Sequence, residues 1–213
     1  ETELTNPSAV GTLVRSIAET HGRLDFAHNN AGISDAPFVL SEISDERWNR
    51  MIAINLSAVF YCMREELPIM AKQGGGAIVN TSSGAGVFGS AHIAHYAAAK
   101  HGVIGLTRGA AIEYAEAGIR VNAVCPGLTD TPMRRRSLES ATSKELEHQQ
   151  RILDFSGGRV NPPELVADTA LWLCREESAG VTGQSLLADG KYGPENRLGS
   201  WQHWTPLEQL VGK

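Results

Sequence analysis

Little in this chain points to metal, membrane or nucleic acid. It holds only three cysteines, Cys62, Cys125 and Cys174. Their spacing suits neither a zinc site nor a disulfide framework. Each sits among apolar residues, as buried thiols of a reducing compartment do. The seven histidines form no metal-binding pattern. No apolar run approaches the ~20 residues that cross a bilayer. Basic residues are in deficit: 19 Lys and Arg against 24 Asp and Glu give a formal net charge of -5. Nucleic-acid binders usually carry a basic face instead. The densest basic run, Arg134-Arg135-Arg136, is followed by acidic and polar residues and reads as a solvated loop or helix start. Gly74-Gly75-Gly76 lacks the lysine and the helix start of a phosphate loop, so it reads as a turn. There is no internal repeat and no low-complexity linker. What is present is an ordinary globular balance, 42% hydrophobic and 20% charged over 213 residues. That is enough for one α/β domain with a full core, here taken as 1–213.

The local signals alternate between helix and strand. Asn6-Pro7 starts a helix, with a capping side chain and then proline at the first helical position. Val10, Leu13, Val14 and Ile17 give that helix an apolar face, and Gly22 stops it. Leu24 to Asn29 reads as a short strand leading into Asn29-Asn30-Ala31-Gly32. Ser44 caps a long second helix with Asp45 and Glu46 in its first turn. Its apolar stripe runs Trp48, Met51, Ile52, Leu56, Val59, Phe60, Met63, Leu67. Ala77 to Ser82 is a buried strand ending at Ser83. A third helix covers about 95–116, and Arg120 to Cys125 is a strand broken by Pro126-Gly127. The polar segment 133–159 is expected to be irregular, with one helical stretch near 144–153. Pro162-Pro163 opens a helix through Cys174, and Gln184 to Ala188 is a last strand. Near-continuous apolar strands alternating with helices predict a parallel sheet covered on both faces.

One pair of residues suggests chemistry. Tyr96 and Lys100 are four apart in Tyr96-Ala97-Ala98-Ala99-Lys100, a spacing that stacks them on one helix face. A lysine beside a tyrosine favours the phenolate. The expectation is a Tyr96 pKa lowered from near 10 towards neutrality. Such a phenol can give or take a proton, and Ser83 is a candidate to hold a substrate oxygen meanwhile. The plainer readings are a core tyrosine, a surface lysine and a serine that starts a turn. His92 and His95 flank the tyrosine and read first as packing or solvent contacts.

Together these motifs resemble the short-chain dehydrogenase/reductase family. The resemblance runs from Asn6 to about Tyr192. It rests on Asn29-Asn30-Ala31-Gly32, Asn55-Leu56, Ser82-Ser83, Tyr96-x-x-x-Lys100, Arg120-Val121-Asn122, Pro126-Gly127 with Thr131, and Val181-Thr182-Gly183 before Asp189-Gly190. It implies a doubly wound, Rossmann-like parallel sheet in three α/β/α layers. It also implies hydride transfer between NAD or NADP and a small-molecule alcohol or ketone. Tyr96 would exchange the proton, Lys100 would lower its pKa and bond the nicotinamide ribose, and Ser83 would bond the substrate oxygen. Asn55 would hold a water of a proton relay, or else serve as a helix-interior amide bonded to backbone. Asn30, Ala31 and Gly32 would line the adenosine side, Pro126, Gly127 and Thr129 the nicotinamide end, and Thr131 the pyrophosphate side. The segment 133–159 would act as a lid. Residues 193–213 form a tail whose Trp201 and Trp204 read as packing or subunit contacts. The expected location is cytoplasmic. The expected assembly is a homodimer or homotetramer, with small residues such as Ala97, Ala98, Ala110 and Ala111 available for helix pairing.

One departure matters. Family members open with a strand, a glycine-rich turn and a helix whose amides hold the pyrophosphate. Nothing before Asn6 has that form. Roughly 50–60 residues, at ~30 per βαβ unit, are expected upstream of Glu1, with the residue that selects NAD or NADP among them. Without them, the strand ending at Asn29 is an exposed apolar sheet edge. The other reading is a protein that works as it stands with a neighbour over that edge. A catalytically silent, oligomeric binding module is the functional alternative, opposed by the intact Ser83, Tyr96 and Lys100.

Overall fold

The computed structural model describes residues 2–139, 141–155 and 158–189. Helix α1 (Pro7–His21) starts where the Asn6 side chain accepts hydrogen bonds from the amides of Ser8 (3.0 Å) and Ala9 (3.2 Å). It ends where Gly22 takes a φ of 74°, a left-handed turn that glycine adopts without a Cβ clash. Strand β1 (Phe26–Asn29) follows, beginning later than the apolar run suggested. Helix α2 (Asp45–Ile52) is capped by Ser44 Oγ, which accepts from the Arg47 amide.

A π turn (Ala53–Ser57) joins α2 to α3 (Ala58–Gln73). The wider turn breaks the 3.6-residue phase of the expected single stripe. Met51, Val59, Met63 and Leu67 are buried as expected, but Trp48 and Phe60 are 41% and 43% exposed. Phe60 instead carries the Arg64 guanidinium over its ring.

The remaining elements are β2 (Gly76–Thr81), α4 (Ala94–Glu113), β3 (Ile119–Pro126), α5 (Pro132–Glu139), α6 (Ser143–Phe155), α7 (Pro163–Cys174) and β4 (Ser185–Ala188). The strands form one parallel sheet in the order β1-β2-β3-β4. Side chains alternate across it. Ile78, Ile119 and Val121 enter a core shared with Val10, Val59, Met63, Met70 and Val103 of α1, α3 and α4. Val79 and Val124 face the other way, onto Ala170 and Leu173 of α7. The result is the expected open α/β sheet with helices on both faces. Arg120 and Asn122 are structural within it. Arg120 donates to the carbonyls of Leu173 (2.7 Å) and Arg175 (3.1 Å) and closes the end of α7. Asn122 donates to the Val181 carbonyl and accepts from the Gln184 amide, which sets the entry to β4.

Segment 133–159 is not irregular: it contains α5 from its start and α6. Thr142 and Glu145 close a capping box, with the Thr142 amide donating to Glu145 Oε2 and the Glu145 amide donating to Thr142 Oγ1. The alanines offered for helix pairing are mostly consumed internally. Ala97, Ala110 and Ala111 are buried in this chain's own core, leaving Ala98 exposed. Among the described residues no helix is long and apolar enough to cross a membrane. Tyr192, Trp201, Trp204 and the whole segment 193–213 lie outside the described residues.

Candidate active site

Every candidate residue except Asn55, Tyr96 and Lys100 sits where a parallel strand runs out at its C-terminal end. This is the edge at which open α/β sheets bind ligands. Strand β1 leads into Asn30-Ala31-Gly32, β2 into Ser82-Ser83, and β3 into Gly127–Thr131. Helix α4 brings Tyr96 and Lys100 across the end of β2.

Lys100 is 3% exposed. Its Nζ donates to the Thr81 carbonyl at 2.8 Å and stands 5.8 Å from the Tyr96 ring centroid. Burial lowers its pKa to about 8, against the opposing influence of Cys125. Ser82 Oγ donates to the Lys100 carbonyl at 2.8 Å, so α4 is joined to the end of β2 through both side chain and backbone. Two glycines permit this closeness. A Cβ on Gly86 would overlap Ser82 Oγ and stand 2.8 Å from the Lys100 carbonyl oxygen. A Cβ on Gly32 would stand 2.6 Å from Asn55 Oδ1 and 3.5 Å from Lys100 Nζ.

Tyr96 is half-buried. Burial raises its pKa, a hydrogen bond from the Ser83 hydroxyl opposes that rise, and Cys125 adds to it. This corrects the expectation that Lys100 draws the phenol towards neutrality. Lys100 gives its hydrogen bond to the Thr81 carbonyl, and desolvation then governs the phenol. Tyr96 is therefore a protonated phenol at neutral pH. Ser83 does start a turn, since its Oγ accepts from the Ala85 amide at 3.2 Å, and it also reaches Tyr96. The structure thus brings Ser83 and Tyr96 together, with Lys100 one helical turn away.

Asn55 is fully buried in the π turn. Its Oδ1 accepts from the Ile33 amide (3.0 Å) and its Nδ2 donates to the Ile33 carbonyl (3.1 Å). These bonds clamp the Gly32 turn beside Lys100, as the reading of a helix-interior amide bonded to backbone has it, and Oδ1 keeps a second lone pair. Asn30 Oδ1 accepts from Thr81 Oγ1 at 3.0 Å. The Gly127 amide donates to the Ala188 carbonyl, Thr129 Oγ1 donates to the Gly127 carbonyl, and Thr131 Oγ1 accepts from the Arg134 amide at the start of α5.

A short-chain dehydrogenase family model, described as enoyl-(acyl carrier protein) reductase, matches residues 1–192. The chain belongs to the short-chain dehydrogenase/reductase family. The cyclohexanol dehydrogenase of Acinetobacter sp. (strain SE19) is 42% identical over 186 residues, which cover 87% of this chain and 70% of that protein. The 3beta-hydroxysteroid dehydrogenase of Mediterraneibacter gnavus is 37% identical over 205 residues, covering 89% and 74%. Among solved structures, levodione reductase superposes with a TM-score of 0.82 at 30% identity, covering 95% of this chain and 76% of that one. ElxO with NADP bound gives 0.79 at 34% identity, covering 87% and 74%. These matches make the sheet Rossmann-like and the family one of oxidoreductases.

Two groups in this short-chain dehydrogenase/reductase had no clear signal in the sequence. One is the Thr81 carbonyl that receives Lys100, because a backbone oxygen carries no residue identity. The other is Glu66, 5% exposed on α3. Asn29 Nδ2 donates to Glu66 Oε2 (3.1 Å) and to Asn80 Oδ1 (3.0 Å). Burial raises the Glu66 pKa to about 7, with the Asn29 hydrogen bond opposing. Glu66 lines a cavity of about 360 Å³ along the open β1 edge, walled by Leu13, Phe26, Val59 and Cys62. Its carboxyl interrupts an otherwise apolar stripe, which is the only trace it leaves in the sequence. Among the described residues no group of His, Cys, Asp and Glu is arranged to hold a metal ion.

Proposed function

We propose that this protein oxidises or reduces a small-molecule alcohol or ketone with NAD or NADP, using Ser83, Tyr96 and Lys100. The observation that carries the reading is the buried Lys100 ammonium, one turn along α4 from Tyr96 and 5.8 Å from its ring centroid, with the Ser83 hydroxyl near enough to favour the phenolate. Relatives named as cyclohexanol and 3beta-hydroxysteroid dehydrogenases support the alcohol class, and the NADP-bound neighbour supports a nicotinamide cofactor.

The residues suit such a cofactor. Lys100 has three N–H donors, and Thr81 occupies one, leaving donors for a ribose hydroxyl. Asn30, Ala31 and Gly32 would hold the adenosine side, and Pro126, Gly127, Thr129 and Thr131 the nicotinamide and pyrophosphate side. A bound nicotinamide supplies or accepts the hydride. Ser83 fixes the substrate oxygen. Tyr96, protonated at neutral pH, donates its proton to that oxygen in reduction. In oxidation it takes the alcohol proton as phenolate, a form that the Ser83 hydroxyl favours. The two directions therefore have opposite pH dependence. Reduction is supported below the Tyr96 pKa and lost as pH rises through it, whereas oxidation strengthens with rising pH. Asn55 positions the Gly32 turn and holds the water that connects Lys100 to solvent in a proton relay. Helices α5 and α6 act as the lid, and 1–213 works as one domain. The free thiols suit the cytoplasm, and exposed Phe60 and Ile112 on α3 and α4 suit a homodimer or homotetramer.

The test measures nicotinamide absorbance in the full-length protein with cyclic and open-chain alcohols and ketones. Tyr96→Phe is expected to lower kcat about 10²- to 10⁴-fold while cofactor binding persists. Undiminished turnover in Tyr96→Phe overturns the assignment.

A further inference from the structure

We infer that Asp35 is a positioning residue for Tyr96, acting through His95 in the first turn of α4. The inference rests on Tyr96 being the acid/base group.

Helix α4 begins without the usual support. Ile93, at its N-cap, makes no side-chain capping bond. Before it stands His92 with φ 65°, the only non-glycine residue with positive φ among the described residues. Such a backbone persists only where its surroundings impose it. An uncapped first turn leaves its amides unheld, and this turn carries Tyr96. Misplacing a reacting group by an ångström is enough to cost about 10²-fold in rate.

The hold comes from the side. The Phe38 amide donates to the His92 carbonyl at 2.7 Å. The His95 ring is completely buried, and neither of its nitrogens has a well-formed hydrogen bond. The group that faces it is Asp35, with Oδ2 3.5 Å from His95 Nε2. Asp35 is itself fixed. Arg47 Nη1 lies 2.7 Å and 2.9 Å from its two oxygens, and the Ala36 amide donates to Oδ1 at 2.9 Å. The Arg47 guanidinium is in turn seated 4.2 Å from the Phe38 ring centroid. Partial burial of Asp35 disfavours its charge, but Arg47, Ala36 and His95 outweigh this and keep the carboxyl below its ordinary pKa. An ionised carboxylate is thus held at the positive end of a 20-residue helix, where an anion is favoured. Fixing the His95 ring fixes the rotation of the first turn, and Tyr96 is the next residue along it.

The test compares Asp35→Asn, Asp35→Glu and Arg47→Lys in the full-length protein. Asp35→Asn is expected to lower kcat about 10- to 100-fold, with KM and cofactor Kd within about twofold and with faster amide exchange at residues 94–97. Asp35→Glu restores part of kcat. Arg47→Lys, which keeps the charge but loses the planar fork, falls between, and it decides the matter if Asp35→Asn does not fold. A lower melting temperature with parental kcat in the folded protein makes Asp35 a strut and overturns the inference. So does unchanged exchange at 94–97, whether or not the protein turns over. Absence of turnover in the parent strikes the functional reading instead, and the exchange measurement still judges Asp35.

Discussion

The crossing of α4 over the end of β2 and the α5–α6 pair are both polar, and they are held in opposite ways. At the crossing, Lys100, Ser82 and Asn55 are buried, and each bonds a backbone group. In α5 and α6 the described polar contacts are exposed or only partly buried. Arg135 pairs with Asp130, Gln150 with Asp154, and no described side chain of either helix is fully buried. Among the described residues neither helix packs extensively on any strand or on another helix. A buried polar group that loses its partner forfeits the full cost of its desolvation, whereas an exposed one falls back on water. The crossing is therefore suited to holding reacting groups still. The outer pair, with no fully buried side chain among those described, can open at little cost.

Gly86→Ala breaks the rigid side of that contrast most severely. The new methyl group meets Ser82 Oγ and the Lys100 carbonyl, and backbone cannot swing aside as a flexible side chain does. A loss of about 3 kcal/mol, at the upper end for overpacking, is expected in denaturant unfolding. Surviving folded protein should show a kcat reduced at least about tenfold, because Lys100 moves with its backbone. Parental stability would mean that the crossing is looser than these contacts require.

Glu66→Gln sharpens the contrast, because it tests a buried group with only partial compensation. The Glu66 pKa rises from 4.5 to about 7 in the folded protein. The folded state then binds more protons than the unfolded state across that window. Stability is fully supported below about pH 4.5 and declines as pH rises to about 7. At about 1.4 kcal/mol per pH unit the total is about 3 kcal/mol. The glutamine variant, unable to ionise, should flatten this decline between pH 4.5 and 8 in urea titrations. An unaltered pH slope would place the titration elsewhere.

Local geometry explains which parts could be read from the residues alone. The Asn6 and Ser44 caps, the Gly22 stop and the Pro163 start concern neighbours within one turn. The Tyr96–Lys100 spacing is equally local, and all of these stand as expected. The failures are non-local. Asn55 bonds backbone, as one of its two readings has it, but its partner Ile33 lies 22 positions away; the Lys100 ammonium goes to an anonymous carbonyl, and the direction of the Tyr96 shift depends on burial that only the packed fold supplies. The π turn escaped because a stripe read at 3.6 residues per turn has no place for a wider one. The polar composition of 133–159 predicts an irregular segment with too short a helix at α6, and leaves the start of α5 open between loop and helix, because it outweighs the Thr142-x-x-Glu145 capping box. In a segment with little buried apolar surface, such caps are what start a helix.

Substitutions in the outer pair should accordingly be mild, and graded by whether they touch backbone. Thr142→Ala removes the oxygen that receives the Glu145 amide and is expected to cost about 1 kcal/mol, with fraying confined to α6 in hydrogen exchange. Arg135→Ala removes only a surface pair with Asp130, whose partners remain open to water and to screening ions. Its melting temperature should match the parent's in low salt and in high salt alike. A clear loss there, confined to low salt, would show that α5 is held by charge and not merely resting on the surface, and the division between a rigid crossing and a loosely held cover would have to be redrawn.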